Sequence, residues 1–264
     1  MAIKRNPQTV LITGASGGIG YELAKLFAND HYNLVLVARS AGKLEQFADE
    51  LQRQFGISAK AVALDLTAQH SAQALFDELQ RENIAIDILV NNAGYGVLGN
   101  FSKVPLAEAL GQIQLNVTAL TELTHLFVQP MIERRHGNIL NVASTAGFQA
   151  GPRMAVYYAT KAYVILFSEA LASELKDSGV TITCLCPGPT DTGFQGRAGT
   201  QATILFKKSR PMTAKAVARD GYRALMAGKT LKISGFRNWA VAESTRFAPR
   251  KVVTAISRKV LDRI

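Results

Sequence analysis

The residues best suited to moving a proton are crowded into one stretch, MAVYYATKAYV at 154–164, which holds three tyrosines and a lysine. Groups four apart on a helix share a face. Tyr157 and Lys161 therefore meet, whereas Tyr158 and Tyr163 find Ala162 and Phe167 at that offset. Tyr157 alone gains a cationic neighbour. A phenol with its usual pKa of about 10 is a weak base at neutral pH, and a nearby ammonium favours the phenolate. Such a pair suits a side chain that gives and takes a proton. The same stretch also reads as an aromatic-rich helix packing a core, so the rest of the chain must separate the two readings.

A second chemical feature lies near the N-terminus. TGASGGIG at 13–20 follows the apolar run TVLIT and precedes the helical pattern YELAKLFAND. Gly14, Gly18 and Gly20 permit a tight turn, close approach of backbone to a pyrophosphate and close packing of helix on strand, and free N–H groups at the helix start attract phosphate. Ser16 and Ile19 sit in the same turn. The spacing is Gly-x-x-x-Gly-x-Gly, and its place between a first strand and a helix is what a dinucleotide site requires. About 20 residues on, where an acid would bind the ribose 2′-hydroxyl of NAD, the chain reads LVLVARSAGK. Arg39 can grip a 2′-phosphate bidentately, with Ser40 and Lys43 beside it, which favours NADP(H). The alternative for Arg39 is a solvated surface arginine.

These groups need a scaffold to hold them. Apolar β-branched runs at 9–13, 33–38, 61–65, 87–91, 137–143 and 180–186 alternate with segments long enough for crossover helices. That alternation predicts a parallel sheet covered on both faces, one doubly wound α/β (Rossmann) domain over 1–264. LKIS at 231–234 is a weaker strand that could close the sheet, after which 236–264 reads as a basic, helix-rich appendage.

With 264 residues, 48% of them apolar, the chain can bury a large core. The formal charge of +10 is concentrated, since residues 207–264 hold 15 of the 30 Lys and Arg but 3 of the 20 Asp and Glu. The basic pair and apolar run at the start could mimic a signal peptide, but the run is short, breaks into glycines and makes a better strand. No stretch approaches the ~18 apolar residues of a membrane span, and a cytoplasmic location is expected. Cys184 and Cys186 alternate within VTITCLC as core residues of a strand. His31, His70, His125 and His136 show no metal-ligand spacing, so no metal is expected. The basic tail lacks interleaved aromatics beyond Phe236, Trp239 and Phe247 and matches no nucleic-acid motif, so no nucleic-acid partner is expected.

In order and in register, the segment 13–20, NNAG at 91–94, Asn116, Ser144, Tyr157-x-x-x-Lys161 and PGPTDT at 187–192 resemble the short-chain dehydrogenase/reductase family. The resemblance covers residues 9 to about 192. It implies a seven-stranded parallel sheet, a nicotinamide cofactor and a catalytic set of Ser144, Tyr157 and Lys161 supported by Asn116. By the same resemblance Asp65 and Leu66 face the adenine, Asn92, Ala93 and Gly94 form the floor on the adenosine side, and Pro187, Gly188, Thr190 and Thr192 meet the nicotinamide amide. Lys161 would also bond the nicotinamide ribose. Ser144, 13 residues before Tyr157, would hold the substrate oxygen; taken alone it is as good a turn cap. Asn116 would hold a water that relays protons to the lysine; taken alone it is an exposed or bent helix position.

The family shapes its substrate pocket from segments here at 95–100, 148–154 and 193–212. Val97, Leu98, Phe148, Phe194, Ile204, Leu205 and Phe206 predict an apolar carbonyl or alcohol substrate, and thus an NADPH-dependent oxidoreductase. A 3-oxoacyl thioester reductase is the alternative, with the basic tail drawing in a phosphate-bearing carrier. A non-catalytic NADP-binding regulator is the remoter one, and both Tyr157 and Lys161 are present against it. Apolar helices over roughly 106–131 and 155–177 predict a homodimer or homotetramer. In the last stretch Pro249 can open a helix on which Val253, Ile256, Val260 and Ile264 form an apolar stripe flanked by Arg250, Lys251, Arg258, Lys259 and Arg263. Three uses are open to that stripe: packing on the protein, lying on an anionic membrane surface, or guiding an anionic carrier.

Overall fold

The computed structural model describes residues 8–201, 203–204 and 211–262. Leu205, Phe206, Arg263 and Ile264, named above, lie outside the described residues. Strands β1 (Thr9–Thr13), β2 (Asn33–Ala38), β3 (Ala59–Ala63), β4 (Ile88–Asn91), β5 (Gly137–Val142), β6 (Val180–Cys186) and β9 (Leu231–Ile233) form one sheet in the order β3-β2-β1-β4-β5-β6-β9. Every recorded pair in it is parallel. The third strand begins two residues before its expected start, because Ala59 pairs with Leu34 and Ala63 with Ala38. That register leaves Asp65 beyond the strand's C-terminal end.

Side chains alternate across a strand, and β1 shows the result. Val10 and Ile12 point into a core with residues of α1 (Gly18–Asn29) and α2 (Ala41–Phe55), together with α8 (Ala214–Met226). Leu11 points the other way, into a core shared with α3 (Ser71–Arg81) and α5 (Leu120–Glu133). Both faces are covered, which is why the strands read as continuous apolar runs.

The chain leaves β1 toward β2 and β3, then returns to place β4 on the other side of β1. The crevice at the carboxyl ends of β1 and β4 is the usual ligand position in such sheets. Helix α6 (Ala155–Glu174) packs beside β5 and β6. Beyond β6, a small parallel pair of β7 (Thr190–Asp191) with β8 (Met212–Thr213) brackets α7 (Phe194–Ala198). After β9 come α9 (Phe236–Ser244) and α10 (Arg250–Val260). The expected helix over 106–131 is α4 (Leu106–Ile113) and α5 joined by a π-helical turn, Gln114–Ala119. Among the described residues no helix is long and apolar enough to cross a membrane.

Candidate active site

The glycine turn is held from the next crossover. Asn92 donates its amide to the carbonyls of Thr13 (2.9 Å) and Gly14 (3.2 Å), and the Thr13 hydroxyl accepts from the N–H groups of Asn92 and Ala93, both at 3.0 Å. A Cβ on Gly20 would stand 2.5 Å from both the Asn92 amide nitrogen and the Gly14 carbonyl oxygen. Gly14 and Gly18 have φ of 66° and 57°, a region other residues avoid. The turn is therefore bare backbone at the N-terminus of α1, as an approaching phosphate needs. Asn92 acts here as its brace.

Arg39 is exposed at the end of β2. The sequence shows no carboxylate beside it, yet the fold brings Asp65 close enough for Arg39 and Arg197 to act on its charge. The Asp65 carboxyl is held below its ordinary value first by hydrogen bonds from the Thr67 N–H and hydroxyl, and further by those two arginines.

Tyr157, Lys161 and Ser144 converge on one cavity of about 680 Å³, which runs from Gly14 and Gly18 to α9 and α10. Lys161 is buried, and its Nζ donates to the Val142 carbonyl at 2.8 Å and lies 5.8 Å from the centre of the Tyr157 ring. Burial lowers the lysine to about 8, partly countered by the Cys184 and Cys186 thiols. These two cysteines are fully buried neighbours in β6, as expected of core residues. Tyr157 departs from the sequence reading. Burial raises its phenol above the ordinary value of 10.0, opposed by a hydrogen bond with Ser144, and burial wins. At neutral pH the phenol thus carries its proton.

Ser144 follows the C-terminal end of β5. It caps the 3-10 turn Thr145–Phe148 by accepting from the Ala146 N–H at 3.1 Å, and it lines the cavity. Asn116 is 1% exposed in the π-helical turn, a distortion common at functional sites. Its Oδ1 accepts from the Tyr95 N–H (3.0 Å), and its Nδ2 donates to the Tyr95 carbonyl (2.8 Å) and the Thr160 hydroxyl (3.1 Å). A Cβ on Gly94 would lie 3.0 Å from Asn116 Oδ1 and 3.4 Å from Lys161 Nζ, so Gly94 gives both groups room.

Other expected contacts divide. Ser16, Ile19, Ala93, Pro187, Gly188, Thr190 and Thr192 line the same cavity; Arg39, Ser40, Asp65 and Leu66 do not. Phe194 stands with its ring 5.3 Å from that of Tyr157, and Met154 is beside it. Phe148 faces a second cavity, and Val97 and Leu98 are absent from the lining of the first. Tyr158, which meets Ala162 rather than a cation at the four-residue offset, is also buried and lines the cavity, its phenol pushed up by burial. Asn238, Val241 and Thr245 of the α9 region, with Val253, Ile256 and Val260 of α10, complete the wall. The amphipathic spacing of α10 was visible in the sequence; that its stripe faces the site was not. The sequence reading also missed a buried polar chain in which Asn91 donates to Thr124 (3.0 Å) and Asn141 (2.9 Å), and Asn141 to Ser168 (3.0 Å). It ties β4 and β5 to α5 and α6. Among the described residues no group of three or more His, Cys, Asp or Glu gathers as a metal site.

A sheet of this order with a tyrosine–lysine pair beside a glycine cradle defines a class of dinucleotide-dependent oxidoreductases. The short chain dehydrogenase family model matches residues 8–203, and the chain belongs to that family, whose members act on CH–OH groups. It is 34% identical to the ketoacyl reductase HetN of Nostoc sp. over 97% of this chain and 88% of that protein. It is 36% identical to a very-long-chain 3-oxoacyl-CoA reductase of Phaeosphaeria nodorum over 66% of this chain, spanning about half (52%) of that longer protein. Among solved structures, a short-chain dehydrogenase from Sphingobium yanoikuyae in complex with NADPH superimposes with a TM-score of 0.82 at 32% identity, covering 91% of this chain and 94% of that one.

Proposed function

We propose that this protein uses NADPH to reduce the carbonyl of apolar ketones and aldehydes, and runs the reverse oxidation of the alcohols. The observation that carries this is the convergence of Tyr157, Ser144 and Lys161 on a cavity whose far wall is the apolar stripe of α10. The bare turn at Gly14, Gly18 and Gly20 suits a pyrophosphate, and Arg39, exposed at the end of β2, suits a 2′-phosphate. A bound reduced nicotinamide supplies the hydride. Ser144 holds the substrate oxygen beside the Tyr157 hydroxyl. The Tyr157 phenol, protonated at neutral pH, gives its proton as the oxygen becomes an alkoxide, a stronger base than phenolate. The phenolate left behind lies beside the Ser144 hydroxyl and the Lys161 ammonium, which can return a proton to it and recover its own from water. Asn116 holds the Tyr95 backbone and, through Thr160, the first turns of α6 in place.

The test is oxidation of NADPH with a panel of hydrophobic ketones. Arg39→Ala should raise the KM for NADPH about tenfold, the loss of one charge-assisted phosphate contact, and leave NADH nearly unaffected. Equal use of both cofactors by the unaltered protein would refute the role of Arg39.

A 3-oxoacyl thioester is the second substrate class, favoured by the Nostoc relative's name and by Arg237, Arg246 and Arg250 near the α9–α10 wall. Acetoacetyl-CoA turnover exceeding that of free ketones would select it. Assembly as a dimer or tetramer is supported by exposed Leu106, Leu110 and Ile113 on α4 and Leu166 on α6. Exposed Phe247 and the cations of α10 support contact with an anionic membrane surface, which co-sedimentation with anionic but not neutral vesicles tests.

A further inference from the structure

Helix α10 is weakly held along its length. Val253, Ile256 and Val260 line the active-site cavity, while Arg250, Val253 and Thr254 line a second cavity of about 920 Å³ walled by the turn at 147–152 and by α6. Within the helix Ser257 alone is buried, and Ile256 is 59% exposed. A helix flanked by two cavities buries little apolar surface to hold itself in place.

Its C-terminal end differs. Leu261 is 1% exposed and packs with Met154, Tyr157, Tyr158 and Ala198. One residue on, the Asp262 carboxylate lies 2.6 Å from Arg153 Nη1, and the Asp262 carbonyl accepts from the Ile204 N–H at 3.0 Å. Arg153 sits at φ 71°, a conformation rarely adopted with a side chain and often kept for a reason of function. Its own carbonyl accepts from the Gly99 N–H at 2.8 Å, and the Leu98 N–H donates to Ala198 at 3.0 Å. The segments that follow β4, β5 and β6 are thus fastened to one another and to the turn after α10.

We propose that the Arg153–Asp262 pair latches a movable wall: α10 pivots at 247–249, is pinned at 261–262, and swings from the cavity to admit substrate. Arg153 and Asp262 are then positioning residues that set how bulky a substrate enters. The choice of substrate rests on the carbonyl-reduction reading above; the movement of the helix does not. Both side chains of the pair are partly exposed, at 32% and 40%, so the latch is weak enough to open during turnover.

Two measurements on the full chain with NADPH test this. Trypsin cleavage after Arg250, Lys251, Arg258 and Lys259, followed by mass spectrometry, reads how often the wall opens. The ratio of kcat/KM for benzophenone to that for acetophenone reads access. Asp262→Asn should speed the cleavage about two- to fivefold, the range for losing a part-exposed ion pair, and raise the ratio by a similar factor, with NADPH affinity unchanged. The swapped pair Arg153→Asp with Asp262→Arg should bring both readings back toward those of the unaltered protein. Cleavage of α10 no faster in Asp262→Asn overturns the latch. Faster cleavage with an unaltered ratio overturns its part in selecting substrate, and a swap that restores neither reading overturns the charge pair. If the unaltered protein reduces no carbonyl while Asp262→Asn still opens α10 to trypsin, the carbonyl-reduction reading fails and the movable wall stands.

Discussion

Lys161 offers a quantitative test because its burial and its protonation are tied together. The folded protein holds the amine at about 8 against an ordinary 10.5, with desolvation as the leading cause. Between those values the unfolded chain binds a proton that the native chain has released, so stability rises with pH across that window. Below 8 the native protein carries the full penalty of a buried ammonium; above 10.5 it carries none. A gap of about 2.5 units at about 1.36 kcal/mol per unit makes that penalty about 3 kcal/mol. Lys161→Met keeps the length of the stem and removes the titration. Urea unfolding of both proteins, followed by circular dichroism from pH 7 to 10.5, should therefore show the unaltered protein gaining about 3 kcal/mol relative to the variant as pH rises. Comparing the two cancels the titration of every other group to first order. Parallel stability curves would show that the Val142 carbonyl and the neighbouring thiols compensate the charge in full, and that desolvation does not dominate at this site.

Tyr157→Phe removes the transferable proton and should lower kcat at least ~10²-fold with NADPH affinity retained; Tyr158→Phe, at a position without the lysine at the four-residue offset, should stay within a few-fold, and the opposite pattern in steady-state kinetics would reassign the acid. Gly20→Ala forces a Cβ against Asn92 and the Gly14 carbonyl and should abolish NADPH binding by fluorescence titration, while Gly17→Ala, extended at φ 179° with nothing within 4 Å, should bind normally. Light scattering at micromolar concentration should find a dimer or tetramer, and Leu166→Glu, placing a charge on an exposed apolar position of α6, should shift it toward monomer; a monomeric unaltered protein would remove the assembly reading.

What the sequence determined by itself is what depends on neighbours along the chain. The strands β1, β2 and β6 and the glycine turn are legible because strand periodicity and turn conformation are local, and parallel strands buried on both faces leave continuous apolar runs. The pairing of Tyr157 with Lys161 is legible because a helix fixes the direction of side chains four apart. The direction of the Tyr157 shift was not, since it depends on how deeply the residue is buried once α7 and the α10 turn close over α6. Nor could spacing show that Tyr158 joins the cavity wall or that Phe148 leaves it, because both follow from the turn at 147–152 packing on α6. The stripe on α10 was plain as a stripe, but a helix carries no record of what lies opposite it. Its place beside the site is decided by Leu261 entering the cluster around Tyr157 and by Asp262 reaching Arg153, more than a hundred residues earlier in the chain. Such contacts exist only after the whole sheet has brought their segments together.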